Sequence, residues 1–322
     1  MPFSATASAK AAIKTPGGFT RSENFLNILN EGAPLELKQR MDTLDTGPLS
    51  LFREMDTKQH TVFHRAYHGS TKPVGLSSDT EPIPLDDAGE GFGYSISTYV
   101  FKKGIIITQE LMEEQNYGVI SGRVAALMED AEDSINTMAA DAFNRGFGTV
   151  DAPFVCEDGM YLIDSGRPNP VASAGTWSNL EATGAITLDG IFQANLNFST
   201  YRDEIGRLRP MELKMLVCRP EEEKTVWELL KSEKRPTDAQ NAASWAYGRF
   251  QYMVLRRLTT GAVFYFGADP KSEKNDLQWQ WLQRPSVSDF QPRDQDSVQS
   301  RVRYRAGFGC GRPYAIRGAL LA

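Results

Sequence analysis

The sequence predicts an α+β protein organised around one long helix, and three observations carry that prediction. Residues 59–107 read as two alternating extended strands around a Pro- and Gly-rich insertion. Residues 108–146 hold a single apolar stripe at helical spacing. Residues 188–310 mix two shorter helices with several short alternating strands. No internal repeat is visible.

In chain order, residues 1–22 are small and polar, with Gly17-Gly18 after Pro16, and read as a flexible arm. Phe25, Leu26, Ile28 and Leu29 form an apolar cluster, and residues 35–44 read as a short helix ended by Gly47-Pro48. Val62, His64, Ala66 and His68 then share one face of a strand, with Phe63, Arg65 and Tyr67 on the other. The stretch 69–93 carries Pro73, Pro82, Pro84 and five glycines, which excludes a helix, and residues 94–107 alternate again as the returning strand. A hairpin this long has few means of building its own core, so it is expected to pack on a neighbouring subunit.

Thr108 is an N-cap candidate, with Glu110 in the first turn. Ile120, Val124, Leu127, Ala131, Ile135, Met138 and Ala142 recur every three or four residues up to Gly146. At 1.5 Å per residue such a helix is roughly 50 Å long, more than a compact domain of this size needs, and it reads as a strut.

Residues 146–185 are rich in Gly, Pro, Asn and Ser and read as a surface loop. A helix over 188–201 follows, with Leu188, Ile191, Phe192, Asn195 and Leu196 at helical spacing. Residues 213–218 read as a strand. Residues 220–231 read as a helix, Pro at its start and Val226, Trp227 and Leu230 facing inward. Residues 250–258 and 262–266 read as strands around Thr259-Thr260-Gly261. Leu277, Trp279 and Trp281 mark another strand, and Val302 and Tyr304 alternate with Arg301, Arg303 and Arg305 on a strand with a cationic face.

Composition narrows the function. The chain has 322 residues, 35 Lys+Arg against 41 Asp+Glu and a formal charge of −6, which argues against a dedicated nucleic-acid binder. Cys156, Cys218 and Cys310 are odd in number, widely spaced and without a C-x-x-C pair. That excludes a zinc knuckle and argues against a disulfide framework, in keeping with a reducing cytoplasm. The N-terminal segment has basic residues but no apolar core of a signal peptide, and no apolar run is long enough for a membrane span, so a soluble intracellular protein is expected.

Catalytic constellations fare poorly. His60, His64 and His68 have the spacing of helical metal ligands, but on a strand side chains four residues apart lie about 13 Å from each other. No G-x-S-x-G and no phosphate-binding G-x-x-x-x-G-K-[ST] occurs. Gly89-Glu-Gly-Phe-Gly and Gly307-Phe-Gly-Cys-Gly lack a strand–loop–helix setting and read as turns or bent strands. Residues 109–145 carry eight acids against Arg123 and Arg145, a balance of −6 equal to that of the whole chain. Glu129 and Asp133 share one face there. A face so acidic repels polyanions and favours an arginine-bearing partner, and the Arg301, Arg303, Arg305 ladder is its natural complement.

The order of these pieces resembles the major capsid protein of tailed bacteriophages, with the Hong Kong 97 type of fold. Several stretches carry the likeness: Tyr99-Val-Phe-Lys-Lys-Gly-Ile-Ile-Ile-Thr-Gln-Glu-Leu; the run from Met128 to Phe147; Asp158-Gly-Met-Tyr-Leu-Ile; Leu216-Val-Cys-Arg-Pro; and Arg303-Tyr-Arg-Ala-Gly-Phe-Gly-Cys-Gly-Arg-Pro. The resemblance implies an N-terminal arm (1–55), an extended β-hairpin loop (56–107) and a peripheral domain (108–189 and 271–308) with a spine helix (108–146). A central axial domain (190–270 and 309–322) completes it.

The resemblance further implies a structural protein, not an enzyme, without cofactor or metal. Its copies would form the hexamers and pentamers of an icosahedral head, assembled in the bacterial cytoplasm and enclosing double-stranded DNA without sequence-specific contact. A separate scaffolding protein, a portal protein and a decoration protein are the further partners implied, and no membrane. Arg65, Lys72, Lys102, Lys103, Arg123, Glu129, Asp133, Arg301, Arg303 and Arg305 are the candidate subunit-interface residues. Some members of the family crosslink a loop lysine to a neighbour's asparagine; the lysines here match no such trio, and no crosslink is expected. Two alternatives compete: a cellular nanocompartment shell of the same fold, and a metal-dependent hydrolase using the histidines or the acidic helix.

Overall fold

The computed structural model describes residues 47–67, 90–108, 110–111, 117–148, 154–169, 175–182, 184–203, 206–234, 243–290 and 297–321. Residues 1–46 of the expected arm, with the helix at 35–44, the far part of the hairpin insertion, His68 and Lys72 lie outside them. The chain forms two compact units. One comprises Met1–Leu44, Lys102–Glu129 and Ser286–Val302; the other comprises Asp45–Phe101, Asp130–Pro285 and Arg303–Ala322.

The described strands are β1 (Arg53–Asp56), β2 (Thr61–Tyr67), β3 (Glu90–Ser97), β4 (Tyr99–Thr108), β5 (Arg167–Pro168), β6 (Thr176–Trp177), β7 (Met215–Cys218), β8 (Gln251–Val254), β9 (Ala262–Phe266), β10 (Leu277–Phe290), β11 (Ser297–Cys310) and β12 (Ile316–Leu320). The described helices are α1 (Tyr117–Asn144), α2 (Leu188–Ser199) and α3 (Glu223–Lys231). Two four-stranded sheets run in the orders β1-β10-β11-β4 and β12-β9-β7-β8; β2-β3 and β5-β6 are two-stranded.

The sheet around β7 is the best-built part of the larger unit. Met215–Cys218 and Ala262–Phe266 are apolar and buried at every position, the pattern of strands covered on both faces. β7 pairs parallel with β8 and antiparallel with β9, and β9 pairs antiparallel with β12. The expected β8–β9 hairpin is therefore corrected: both strands flank β7, because an all-apolar strand needs a partner on each side. Thr259 and Thr260 serve the end of α1 instead. The Thr259 amide donates to Asn144 Oδ1 at 2.8 Å and the Thr260 hydroxyl to the Asn144 carbonyl at 2.8 Å.

α2 starts where Thr187 Oγ1 accepts from the Gly190 amide at 3.1 Å, with Asp189 in its first turn. It buries Ile191, Ala194 and Phe198, while the expected inward residues Phe192 and Leu196 are exposed. α3 follows a single 3-10 turn opened by Pro220 and buries Val226, Leu229 and Leu230, leaving Trp227 54% exposed against expectation. Ala194 in α2 and Leu229 in α3 complete the buried faces, and Phe192 and Trp227 lie one position off them.

α1 keeps its predicted stripe. Ile120, Val124, Leu127, Ala131, Ile135 and Ala142 are buried, and only Met138 of that series is half-exposed. In the smaller unit its first turns pack Ile120, Val124 and Met128 with Ile107, Ile105, Leu111 and Val287. Thr108 closes β4 rather than opening α1, and residues 110–111 are helical before the undescribed 112–116. At the other end the Gly146 amide returns to the Phe143 carbonyl at 3.0 Å. Phe143 joins Phe52, whose ring also meets Trp279 and Phe308 with centroids 5.9 and 5.3 Å away.

The hairpin forms as two strands, but its return differs from expectation. β3 pairs with β2, Thr61 opposite Ser97 and Arg65 opposite Gly93, and β4 belongs to another sheet. Thr98 makes the break: it is buried, and both its amide and its hydroxyl donate to the His60 carbonyl, at 2.9 and 3.0 Å.

The stretch expected as a surface loop is partly internal. Leu162, Ile163, Asn179 and Ile186 are buried, and Arg167 is 0% exposed. The Arg167 guanidinium pairs with Asp158 at 2.5 Å, donates to Asn179 Oδ1 and to the Tyr161 and Leu162 carbonyls, and lies over the Trp177 ring. Asn179 in turn donates to the Leu162 and Ile316 carbonyls, tying this segment to β12. Cys156 and Cys310 pair as a disulfide with Cα atoms 4.5 Å apart, correcting the expectation of free thiols. A sequence separation of 154 positions hid the pairing from any reading of spacing.

Candidate assembly surfaces

Three surfaces deserve description: the hairpin, the charged faces of α1 and β11, and the exposed aromatics of α2 and α3. The hairpin is a two-stranded sheet, an arrangement marginal in water on its own. Its root is held from one side. His64 stacks on Tyr94 with ring centroids 5.1 Å apart, and His64 Nε2 lies 2.8 Å from Gln280 Nε2 of β10. Burial pushes the His64 imidazolium down, so this histidine is neutral near physiological pH. Burial also drives the Tyr94 phenol up, with Asp276 and Glu157 adding to the effect. On the other face Phe63 is 80% exposed. Arg65 sits on β2 opposite Gly93.

On β11, burial alternates as the sequence required: Val302 and Tyr304 are buried while Arg301 and Arg303 are exposed and Arg305 is half-buried. Arg301 lies over the Phe290 ring at 4.6 Å and also donates to Gln299. Its stem runs beside Gly104 of β4, where a Cβ would come within 3.2 Å of Arg301 Cγ. Lys102 and Lys103, both exposed on β4, thus share one sheet neighbourhood with Arg301. Arg305 Nε is buried without a hydrogen-bond partner. On α1, Arg123, Glu129 and Asp133 are exposed, but Asp133 is engaged within the chain by Arg257, which also donates to Thr137 Oγ1 at 2.9 Å.

The sequence missed the third surface. Trp227 of α3, Phe192 and Leu196 of α2, and Tyr247 are all large and exposed. Phe192 meets Trp245 edge-on at 5.3 Å, and Arg249 lies 4.9 Å over that same indole. Helical spacing alone marked both Phe192 and Trp227 as inward, since each sits one position from a truly buried residue.

No three His, Cys, Asp or Glu side chains converge among the described residues as a metal site. A cavity of about 30 Å³ beside Phe92, Tyr201, Asp203 and Arg312 holds roughly one water. Next to it lies a compact charged cluster. Glu157 pairs with Arg312 at 3.0 Å, yet burial still raises its carboxyl. Asp276 accepts from the Arg312 amide at 3.3 Å, and burial pushes its carboxyl up to about 6. These groups fasten β10, β11 and the 154–169 segment together.

Residues 93–318 match a family model described as phage capsid protein. No curated protein matches the chain. Among solved structures, the capsid of an empty GTA particle is similar over 100% of both chains, with a TM-score of 0.53 and 11% identity. A structure from Mycobacterium phage Adephagia is similar over 98% of both, with a TM-score of 0.51 and 12% identity. The procapsid of bacteriophage JBD30 aligns with 92% of this chain and 75% of its own, with a TM-score of 0.50 and 13% identity.

Proposed function

This chain belongs to the phage capsid protein family, with the Hong Kong 97 type of fold, and from that premise we propose how its copies meet to build a shell. It is a capsid protein of an icosahedral phage head, and its place is the virion. Our reading divides the chain into an arm (1–55), an extended loop (56–107), a peripheral domain around the spine helix (108–189 and 271–308) and an axial domain (190–270 and 309–322). Hexamers and pentamers are the building units, with the axial domain at their centres. Scaffolding, portal and decoration proteins are the partners such a shell meets, and packaged double-stranded DNA is its content. The role is structural rather than catalytic.

One observation carries the reading of the contacts: a two-stranded hairpin presents Phe63 at 80% exposure. An exposed phenylalanine on a two-stranded ribbon held only through part of its length finds its burial on another copy. The axial aromatics Trp227 and Phe192 would do the same around the capsomer axis. Charge would set the register. Arg301 and Arg303, with Lys102 and Lys103 beside them, offer a cationic strip to the acidic face of a neighbour's α1, where Glu129 and Asp133 lie. That acidity also keeps DNA from adhering.

Negative-stain electron microscopy of the protein expressed with its neighbouring phage genes tests this. Closed isometric shells, or rings of five and six, are expected, and Arg301→Glu with Arg303→Glu and Arg305→Glu should abolish closure. Discrete small particles in both cases would overturn the shell, and normal shells from the triple variant would overturn the charged contact alone. Shells filled with a protein cargo in place of nucleic acid would point to a nanocompartment.

A further inference from the structure

We propose that Cys156 and Cys310 form a late covalent latch: two thiols while the chain folds and assembles in a reducing cell, one disulfide after the particle leaves it. The timing rests on the shell reading above. The two segments are held in register without the bond. Residues 156 and 310 pair as a parallel bridge. One residue beyond Cys156, Glu157 holds Arg312, two beyond Cys310, at 3.0 Å. The Gly311 amide donates to the Asp276 carbonyl at 3.0 Å. On the other side, the Cys156 amide donates to the Met160 carbonyl at 2.9 Å, and Asp158 is locked to Arg167. The cysteines are therefore positioned by ion pairs and hydrogen bonds that exist whether or not sulfur is oxidised, so closure requires no refolding.

Thiols are kept reduced in a bacterial cytoplasm and oxidise outside it. Cys156 is 4% exposed and Cys310 1%, which makes Cys156 the attacking sulfur. Its thiolate attacks a low-molecular-weight disulfide and expels one small thiol. The Cys310 thiolate then attacks the Cys156 sulfur of the mixed disulfide and expels the second. Two protein thiols are oxidised, one small disulfide is reduced, and the two protons end on the two small thiols. Cys218 is an internal control: it is free, buried, and its thiol is pushed up to about 12 by burial, with Glu223 and Glu222 adding to it.

The experiment counts thiols. Cells are lysed directly into an alkylating agent, and the intact denatured chain is weighed. A second sample is taken from purified particles incubated with oxidised glutathione. Three alkylated cysteines are expected from the cell and one, Cys218, from the oxidised particles. A reductant, or Cys156→Ser, should lower the melting temperature of oxidised particles by about 5–10 °C, as closing so long a loop implies. Cys218→Ser should not. One free thiol already at lysis, or three after oxidised glutathione, would overturn the latch. So would loss of particle formation by Cys156→Ser in a reducing cell, since the bond would then be needed early. Failure to form particles with the wild-type chain would instead count against the shell, and thiol counts on the soluble chain would still decide whether the pair closes.

Discussion

The sheet around β7 and the β2–β3 hairpin belong to the same compact unit and are built to opposite rules. In the first, every residue of β7 and β9 is buried among side chains of the same chain. In the second, two strands carry an exposed phenylalanine, while Tyr94, Ile96 and Ser97 at the root lie against β11 and His64 meets Gln280 of β10. The first is complete as a monomer. The second leaves Phe63 in water although its root is packed, which fits the proposal that the rest of its burial comes from another copy.

Substitutions that separate stability from assembly sharpen this contrast. The largest loss of stability is expected from Phe264→Ala on β9, where the ring is fully buried against Phe143 and Phe147 with centroids 5.1 and 5.4 Å away. About 3–5 kcal/mol should be lost, seen as a lower denaturation midpoint or as insoluble protein. Unchanged stability would mean the sheet is not the core described here.

A smaller, pH-dependent effect should come from Asp276→Asn. Burial raises this carboxyl from 3.8 to about 6, so the fold favours its acid form. The contribution is fully present below the unfolded value and is lost as the pH rises through 6. Between pH 4 and pH 8 the wild type should lose roughly 2 kcal/mol that the asparagine variant keeps. Melting curves of both across that range test it, and parallel curves would refute it.

The smallest effect on the subunit is expected from Phe63→Ser: within about 0.5 kcal/mol, as for exposed positions generally. Yet the same variant should lose closed particles by electron microscopy. Normal shells would break the contrast between the two regions, because the hairpin would then need no neighbour.

Much of this organisation was legible in the sequence because it rests on periodicity. The α1 stripe and the β11 alternation are one-dimensional signals, and both appear in the structure. What periodicity cannot carry is partner choice. β8 and β9 look like a hairpin along the chain, yet each pairs with β7. Phe192 and Trp227 obey helical spacing within one position of the buried face and still point to solvent. Gly307-Phe-Gly-Cys-Gly read as a turn or a bent strand; residues 307–310 lie in β11, where a Cβ on Gly307 would collide with the Ser97 carbonyl at 2.5 Å. Gly307 marks a close approach of two backbones, and Gly309 leaves room for the Ile96 side chain. Arg167 gave no signal at all, since a buried arginine is recognisable only from the oxygens gathered around it. Of the interface candidates, the ladder and Lys102 and Lys103 lie on the neighbouring strands β11 and β4, an adjacency the sequence did not suggest. Asp133 had an unforeseen partner in Arg257.

The two hydrogen bonds from Thr98 to the His60 carbonyl give the hairpin a fulcrum. The seven residues of β2 extend about 20 Å beyond it, so a rotation of about 10° at that point carries the far end roughly 4 Å. That exceeds the length of a hydrogen bond. Adjustments too small to disturb the core are enough, at the other end of the lever, to exchange one set of contacts for another.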